Sequence, residues 1–443
     1  MPTPRPYLAV LILMLASAAL PAAADEEDQQ ACDGGHALAD GLCFSAVGTL
    51  DAVQNLRGGI RSGPAAIGLL NLGLEADLER LMGLEGWSAT MSVYGIYGRQ
   101  PTPTRVGSLA AVSNIEAVST VRLNELWVQR SFGEWGSIRA GQLAADAEFI
   151  TAFSAGNLVN GTFGWPVSLA NTLPGGGPAY PLPTLGARIA LGDPDGGTGI
   201  RAALFSGNPG GKYGVDTNPQ MHNRYGTTFS TADGIFYIAE AVTGGEAPGG
   251  DDAPRSWVLK LGGWFYNGGT DSVLFDETGL SLADPASNGV PQRFRNNYGG
   301  YGVGEVTLWR GDEGWLSVFG RVFTQPDDRN AVALQLDGGL AWRGPFGRSD
   351  DTFSVGVSWA RIGNQSRSYD RDVNEYGTVW PIRSAETVLE INYDFAAIKD
   401  RLSIRPLVQF YFNPAAGEPN EQRSPDSSLP DAVVIGLRLV ATL

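Results

Sequence analysis

The chain has 443 residues, with 31 basic and 47 acidic side chains and a net charge of −16 at neutral pH, which argues against a nucleic-acid partner. Sixty glycines and 27 prolines describe a turn-rich β protein, and only two cysteines are present. Just two histidines, His36 and His222, remove most zinc and serine-hydrolase schemes.

Residues 1–24 read as a secretory signal peptide: Arg5 gives a positive start, Leu8 to Leu20 is a short apolar run, and Ala22-Ala23-Ala24 offers a small-residue cleavage site. No later stretch approaches the roughly 20 apolar residues that a spanning helix needs. A mature chain that enters a membrane must therefore do so as a barrel. Residues 25–43 follow as an acidic segment, opened by Asp25-Glu26-Glu27-Asp28 and containing Cys32 and Cys43. In an oxidising compartment these two cysteines are expected to form a disulfide. A Cys-His metal site with His36 lacks further ligands, so neither a metal nor another cofactor is expected.

From about Phe44 to the last residue, segments of roughly ten residues alternate apolar and polar side chains, which a strand sends to opposite faces. The predicted strands are 44–55, 68–80, 86–98, 119–132, 135–143, 184–192, 199–207 and 234–243, then 255–267, 297–310, 314–324, 331–342, 352–362, 385–395, 402–412 and 432–443. In 386–395, Thr387, Leu389, Ile391, Tyr393 and Phe395 share one side; Glu386, Glu390, Asn392 and Asp394 share the other with Val388. Sixteen is an even number, as bacterial outer-membrane barrels require. The last segment is amphipathic to its end, which lets a barrel close against its first strand. The fold class is accordingly all-β: a 16-stranded antiparallel transmembrane barrel over residues 44–443, read as one domain.

Short turns such as Gly133-Glu134 and Asp312-Glu313 alternate with long connections at 99–118, 144–183, 208–233, 268–296 and 363–384. The longest, Ala144 to Pro183, holds Phe149, Phe153, Phe163, Trp165 and Tyr180. So many aromatics suit a loop folded into the lumen to constrict it. The wet faces contribute Arg139, Glu305, Arg321, Glu386, Glu390 and Arg405 with Gln409, a wall able to hydrogen-bond a sugar. Asp193-Pro194-Asp195-Gly196 is half of a calcium loop and reads as a turn. Glu386 and Glu390 stand about 13 Å apart by strand rise, too far for a glycosidase pair. With no phosphate-cradling loop and no nucleophile elbow either, no catalytic residue and no enzyme activity are expected.

Several stretches carry a family resemblance. They run from Leu72-Gly73-Leu74-Glu75-Ala76-Asp77 through Arg122-Leu123-Asn124-Glu125-Leu126-Trp127 and Gly141-Gln142 to Glu386-Thr387-Val388-Leu389-Glu390-Ile391-Asn392-Tyr393 and Arg405-Pro406-Leu407-Val408-Gln409-Phe410. In order and spacing, from about residue 68 to the end, the chain resembles the carbohydrate-selective porin family of the OprB type. The resemblance implies an outer-membrane barrel of a Gram-negative bacterium that passes monosaccharides such as glucose into the periplasm by passive, substrate-selective diffusion. It also makes Asp146, Glu148 and Phe149, after Gly141-Gln142, the constriction candidates. Leu443 departs from the aromatic last residue that would mark outer-membrane sorting more clearly.

The expected partners are a carbohydrate substrate and outer-membrane lipid, with a homotrimer as a further option. Two alternatives stand beside this reading: a general diffusion porin for small solutes, and a secreted soluble β protein of the glycan-binding or adhesin kind. The second needs another layer over each greasy face, and sixteen strands of one type offer none.

Overall fold

The structure, a computed structural model, describes residues 32, 35–211, 218–231, 233–246, 253–377, 379–420 and 424–443. The signal peptide and the acidic residues 25–28 lie outside them. Sixteen antiparallel strands close into a barrel: β1 Leu42–Arg57, β2 Gly63–Asp77, β3 Trp87–Gly98, β4 Thr120–Ser131, β5 Gly136–Leu143, β6 Thr184–Gly192, β7 Gly199–Ser206 and β8 Ile235–Gly244 make the first half. The second half is β9 Trp257–Tyr266, β10 Asn297–Gly311, β11 Gly314–Thr324, β12 Val332–Arg343, β13 Thr352–Ile362, β14 Ala385–Ile398, β15 Leu402–Phe412 and β16 Ala432–Thr442. Each strand pairs with its neighbours in sequence, and β16 closes the ring on β1, with Asp51 opposite Arg438. Among the described residues no helix is long and apolar enough to cross a membrane.

The predicted second strand is displaced. Asp77 ends β2 and caps the one-turn helix Leu78–Met82, its carboxylate accepting from the Glu79 and Arg80 amides, while the start of β2 reaches back to Gly63. That side-chain capping bond ends the strand where hydropathy alone runs on. On β12 a bulge between Val332 and Leu334 reverses the face, so Val332 points inward and is fully buried although its apolar neighbours Leu334 and Leu336 point outward.

Outward faces carry Leu, Val and Ile between two rims of rings. At the short-turn end stand Trp87, Phe132, Trp135, Trp257, Trp309, Trp342, Phe346 and Phe395, with the Arg130 guanidinium over Trp87 and Phe132 and that of Arg348 over Phe395. At the long-loop end stand Tyr97, Tyr237, Tyr298 and Phe412, all exposed. Rings of this kind belong where hydrocarbon gives way to head groups.

Cys32 and Cys43 are bonded, with Cα atoms 5.6 Å apart. The bridge staples a short strand, His36–Ala39, beside the first residues of β1, where His36 faces Phe44.

The seam of the barrel is an ion pair. Arg438 Nε and Nη2 each donate to Asp51 at 2.7 Å, and both side chains are almost wholly withdrawn from water. Removing one partner strands the other charge. Arg438→Ala is expected to cost about 3 to 5 kcal/mol, read as a lower unfolding temperature in detergent, whereas a change within a few tenths of a kcal/mol would show that the seam does not depend on the pair.

Candidate functional site

The inside of this barrel is two-sided. On β7 to β11 most large inward side chains are apolar, with Phe205, Phe236, Ile238, Trp264, Tyr301, Val303, Phe319 and Phe323 all buried, and a few buried charges, among them Arg201, Glu240, Lys260, Glu305 and Arg321, stand between them. Against them pack Phe149, Ile150, Leu158, Phe163 and Leu169 of the connection 144–183, making one core between loop and wall. The connection therefore enters the lumen and adheres to one side of it. At Gly356 on β13 the fit leaves no room for a methyl group, since a Cβ would meet Leu158 Cδ1 at 2.4 Å and the Phe163 ring at 2.7 Å.

A loop inside a barrel also needs partners for its backbone. The wall supplies them as carboxylates aimed at successive amides. Glu305 on β10 accepts from the Phe153 and Ser154 amides at 2.8 and 2.9 Å. Glu390 on β14 accepts from those of Val159 and Asn160, both at 2.7 Å, and Glu240 on β8 takes that of Ile150 at 3.0 Å. The carbonyls are met by cations: Arg321 on β11 donates to Thr162, Phe163 and Gly164 while paired with Asp337 at 2.6 Å. Arg405 on β15 donates to the Asn157 carbonyl at 2.9 Å.

A second connection, 99–119, also turns inward. Glu386 accepts from the Leu109 and Ala110 amides, both at 2.8 Å, and from Ala415 at 2.7 Å. Gln409 donates to the Val112 carbonyl, and Asp51 accepts from the Ser113 hydroxyl. The two loops bond to each other through Asn114 to Val159 and Gly161 to Ala111. Val106, Ala110 and Val112 pack with Val388, Tyr411 and Val434 of the wall. The sequence shows this connection as a long loop but not its inward course, for which the small apolar run Leu109-Ala110-Ala111-Val112 was the signal.

The nine candidate residues thus separate. Glu305, Arg321, Glu386 and Glu390 were expected to face open water, but all are buried and bonded to loop backbone or to Asp337. The reason is that a loop lies over them and needs their polar atoms. Phe149, expected at the constriction, is buried between loop and wall. Arg139 and Glu148 retain exposure, Asp146 is half-buried, and Arg405, also expected to face open water, is buried against the Asn157 carbonyl and Asp394.

Arg139 Nη1 meets Glu148 at 2.6 Å, with side chains 19 and 21 % exposed, and Arg188 Nε meets the same carboxylate at 2.8 Å. Arg139 also lies 3.8 Å from the centre of the Trp127 ring. Near the short-turn end, Arg405 pairs with Asp394, whose side chain is 21 % exposed. Asp146 accepts from the Tyr180 amide at 2.9 Å, and Tyr180 packs on Tyr94 with ring centres 5.7 Å apart. Among the described residues no group of His, Cys, Asp and Glu could hold a metal ion.

The sequence model of the carbohydrate-selective porin, OprB family, matches residues 61–443. The chain belongs to that family. Its barrel is also that of solved porins. OprB of Pseudomonas putida in its high-pH structure is 18% identical with a TM-score of 0.77, over 91% of this chain and 94% of that one. The low-pH structure of the same protein is 14% identical at 0.51, over 91% and 93%. An anion-selective porin from Comamonas acidovorans is 8% identical at 0.51, over 91% and 99%. No curated protein sequence matches the chain. Family and fold are those of channels, and the chain is a carbohydrate-selective outer-membrane porin.

Two expectations follow for this porin. Arg321→Ala should loosen the 144–183 loop by removing its hold on three carbonyls and leaving the buried Asp337 without a counter-charge, held only by the Gln335 amide. Noisy, elevated single-channel conductance is expected, and a quiet channel of unchanged conductance would refute the tether. Asp146 is withdrawn from water, which pushes its carboxyl up to about 6 against the opposing Tyr180 amide. A carboxyl raised in the folded state favours the fold most below its unfolded value of 3.8, and that contribution is lost as pH rises through about 6. Over the same interval the pore gains a negative charge. The cation-to-anion permeability ratio should rise from pH 5 to 7, and Asp146→Asn should remove a step centred near 6; a step that survives the substitution assigns it elsewhere.

Proposed function

We propose that this porin carries neutral monosaccharides such as glucose by passive diffusion across a Gram-negative outer membrane into the periplasm. The path in this reading is the polar remainder of the inward surface, which the two loops leave uncovered. Arg139, Glu148 and Asp394 are its partly exposed charges, with Asp146 and Arg405 more withdrawn beside them.

The observation that supports this is that the partly exposed lumen charges are paired. Arg139 with Glu148, and Arg405 with Asp394, are closed on one another. A paired charge presents a weak net field to a lone ion, yet keeps lone pairs and N–H groups for a hydroxylated solute that must replace its hydrogen bonds to water. With Arg188, which shares Glu148, and with Asp146 counted, the cations and carboxylates along the path cancel although the chain carries −16.

Single-channel recording with added glucose tests this. Sugar should block the ion current in a concentration-dependent way. Glu148→Gln, which leaves Arg139 and Arg188 without a counter-charge, should weaken the block and shift the channel toward anions. A wild-type current indifferent to glucose, with liposomes swelling equally in sugars and in charged solutes of the same size, would instead establish a general diffusion pore.

A further inference from the structure

Of the phenylalanines in the 144–183 loop, Phe153 is the one that the loop–wall core does not absorb. It is 40% exposed, whereas Phe149 and Phe163 of the same loop are 2% exposed. Its ring meets Trp315 edge-on at 5.6 Å, and its amide is held by Glu305. Both partners are wall groups, so the exposed face of the ring looks into the lumen. Trp315 is the second residue of β11, immediately after the two-residue turn from β10, which sets the ring on the short-turn side of the loop.

Phe153 opens the 3-10 turn Ser154–Asn157. One residue of that turn, Gly156, is exposed, and a Cβ there would meet nothing within 4 Å. Open space therefore adjoins the ring. At the other end of the turn the Asn157 carbonyl accepts from Arg405 and Asn392 at 2.9 and 3.0 Å. Arg405 in turn holds Asp394 through Oδ2, while Asp394 Oδ1 and Asn392 Oδ1 have no donor among the described residues. Arg405 and Asp394 lie near the ends of β15 and β14 that the short turn 399–401 joins, the same side of the loop as Trp315.

We infer that Phe153, Gly156 and Asn157, with Asp394 and Arg405, form a carbohydrate subsite on the exit side of the loop. An aromatic face accepts the C–H side of a sugar ring, and flanking carboxylate, carbonyl and guanidinium groups take its hydroxyls. This inference rests on the carbohydrate reading above and names where the sugar pauses.

Glucose block of the ion current in planar bilayers is the test. Phe153→Ala should raise the half-blocking glucose concentration about three- to tenfold, the scale of one aromatic contact, with ion conductance equal or higher. Phe153→Leu, which keeps bulk against Trp315 without a ring, should do the same, and Phe153→Trp should retain the block. Gly156→Trp fills the open space and should lower conductance and sugar flux together. If glucose blocks the wild type and the Ala and Leu variants at equal concentration, the subsite is overturned while the carbohydrate reading stands. If the wild type is not blocked at all, the carbohydrate reading itself falls.

Discussion

Everything inside this barrel depends on how a loop's peptide groups are satisfied away from bulk water. A strand wall has already spent its own backbone bonds on its neighbours, so only its side chains can answer an inward loop. Here Glu305, Glu386 and Glu390 each accept from two adjacent loop amides, and Arg321 collects three carbonyls. A hydrogen bond to a charged group contributes about 1.5 to 3 kcal/mol, so a tether of two or three is stiff on the scale of thermal motion. The loops behave as part of the wall, and the shape of the opening follows from where the tethers stand.

The barrel was legible because the strand period of two is local: Glu386 to Phe395 shows its two faces without reference to any other segment. The roles of inward residues were not legible in that way. Parity sends Glu390 and Asp394 to the same side, but only the loop's course decides that one meets amides and the other keeps exposure. Nor does spacing in irregular chain reveal that Phe149 is covered and Phe153 is not. A clue to the loop's course does lie in the strands. Phe236-Tyr237-Ile238 and Trp264-Phe265-Tyr266 are apolar on both faces, which is how a strand reads when something dry covers its inner side.

Electrostatics divides along the same line. The buried charges are committed to structure, as in Arg321 with Asp337 and Arg438 with Asp51, both pairs being nearly or fully out of water. The charges that touch water do so as partners, with Arg139 and Arg188 converging on the single carboxylate of Glu148. A net charge counted over the whole chain therefore says little about the field a solute meets inside.

The stapled strand His36–Ala39 sets a limit on how the ring can close. β1 is longer than β16 and projects beyond it: the pairing of the two begins at Val47 with Thr442, while Phe44 is already taken by His36. The amide of Leu443 donates to the Ala46 carbonyl, and there the ladder passes from one partner to the other. An incoming strand can slide along β1 only until it meets this hairpin, which acts as an end stop. Because a slip of one residue would exchange every inward and outward side chain of the last strand, a covalently pinned stop near the amino terminus fixes which way Arg438 points.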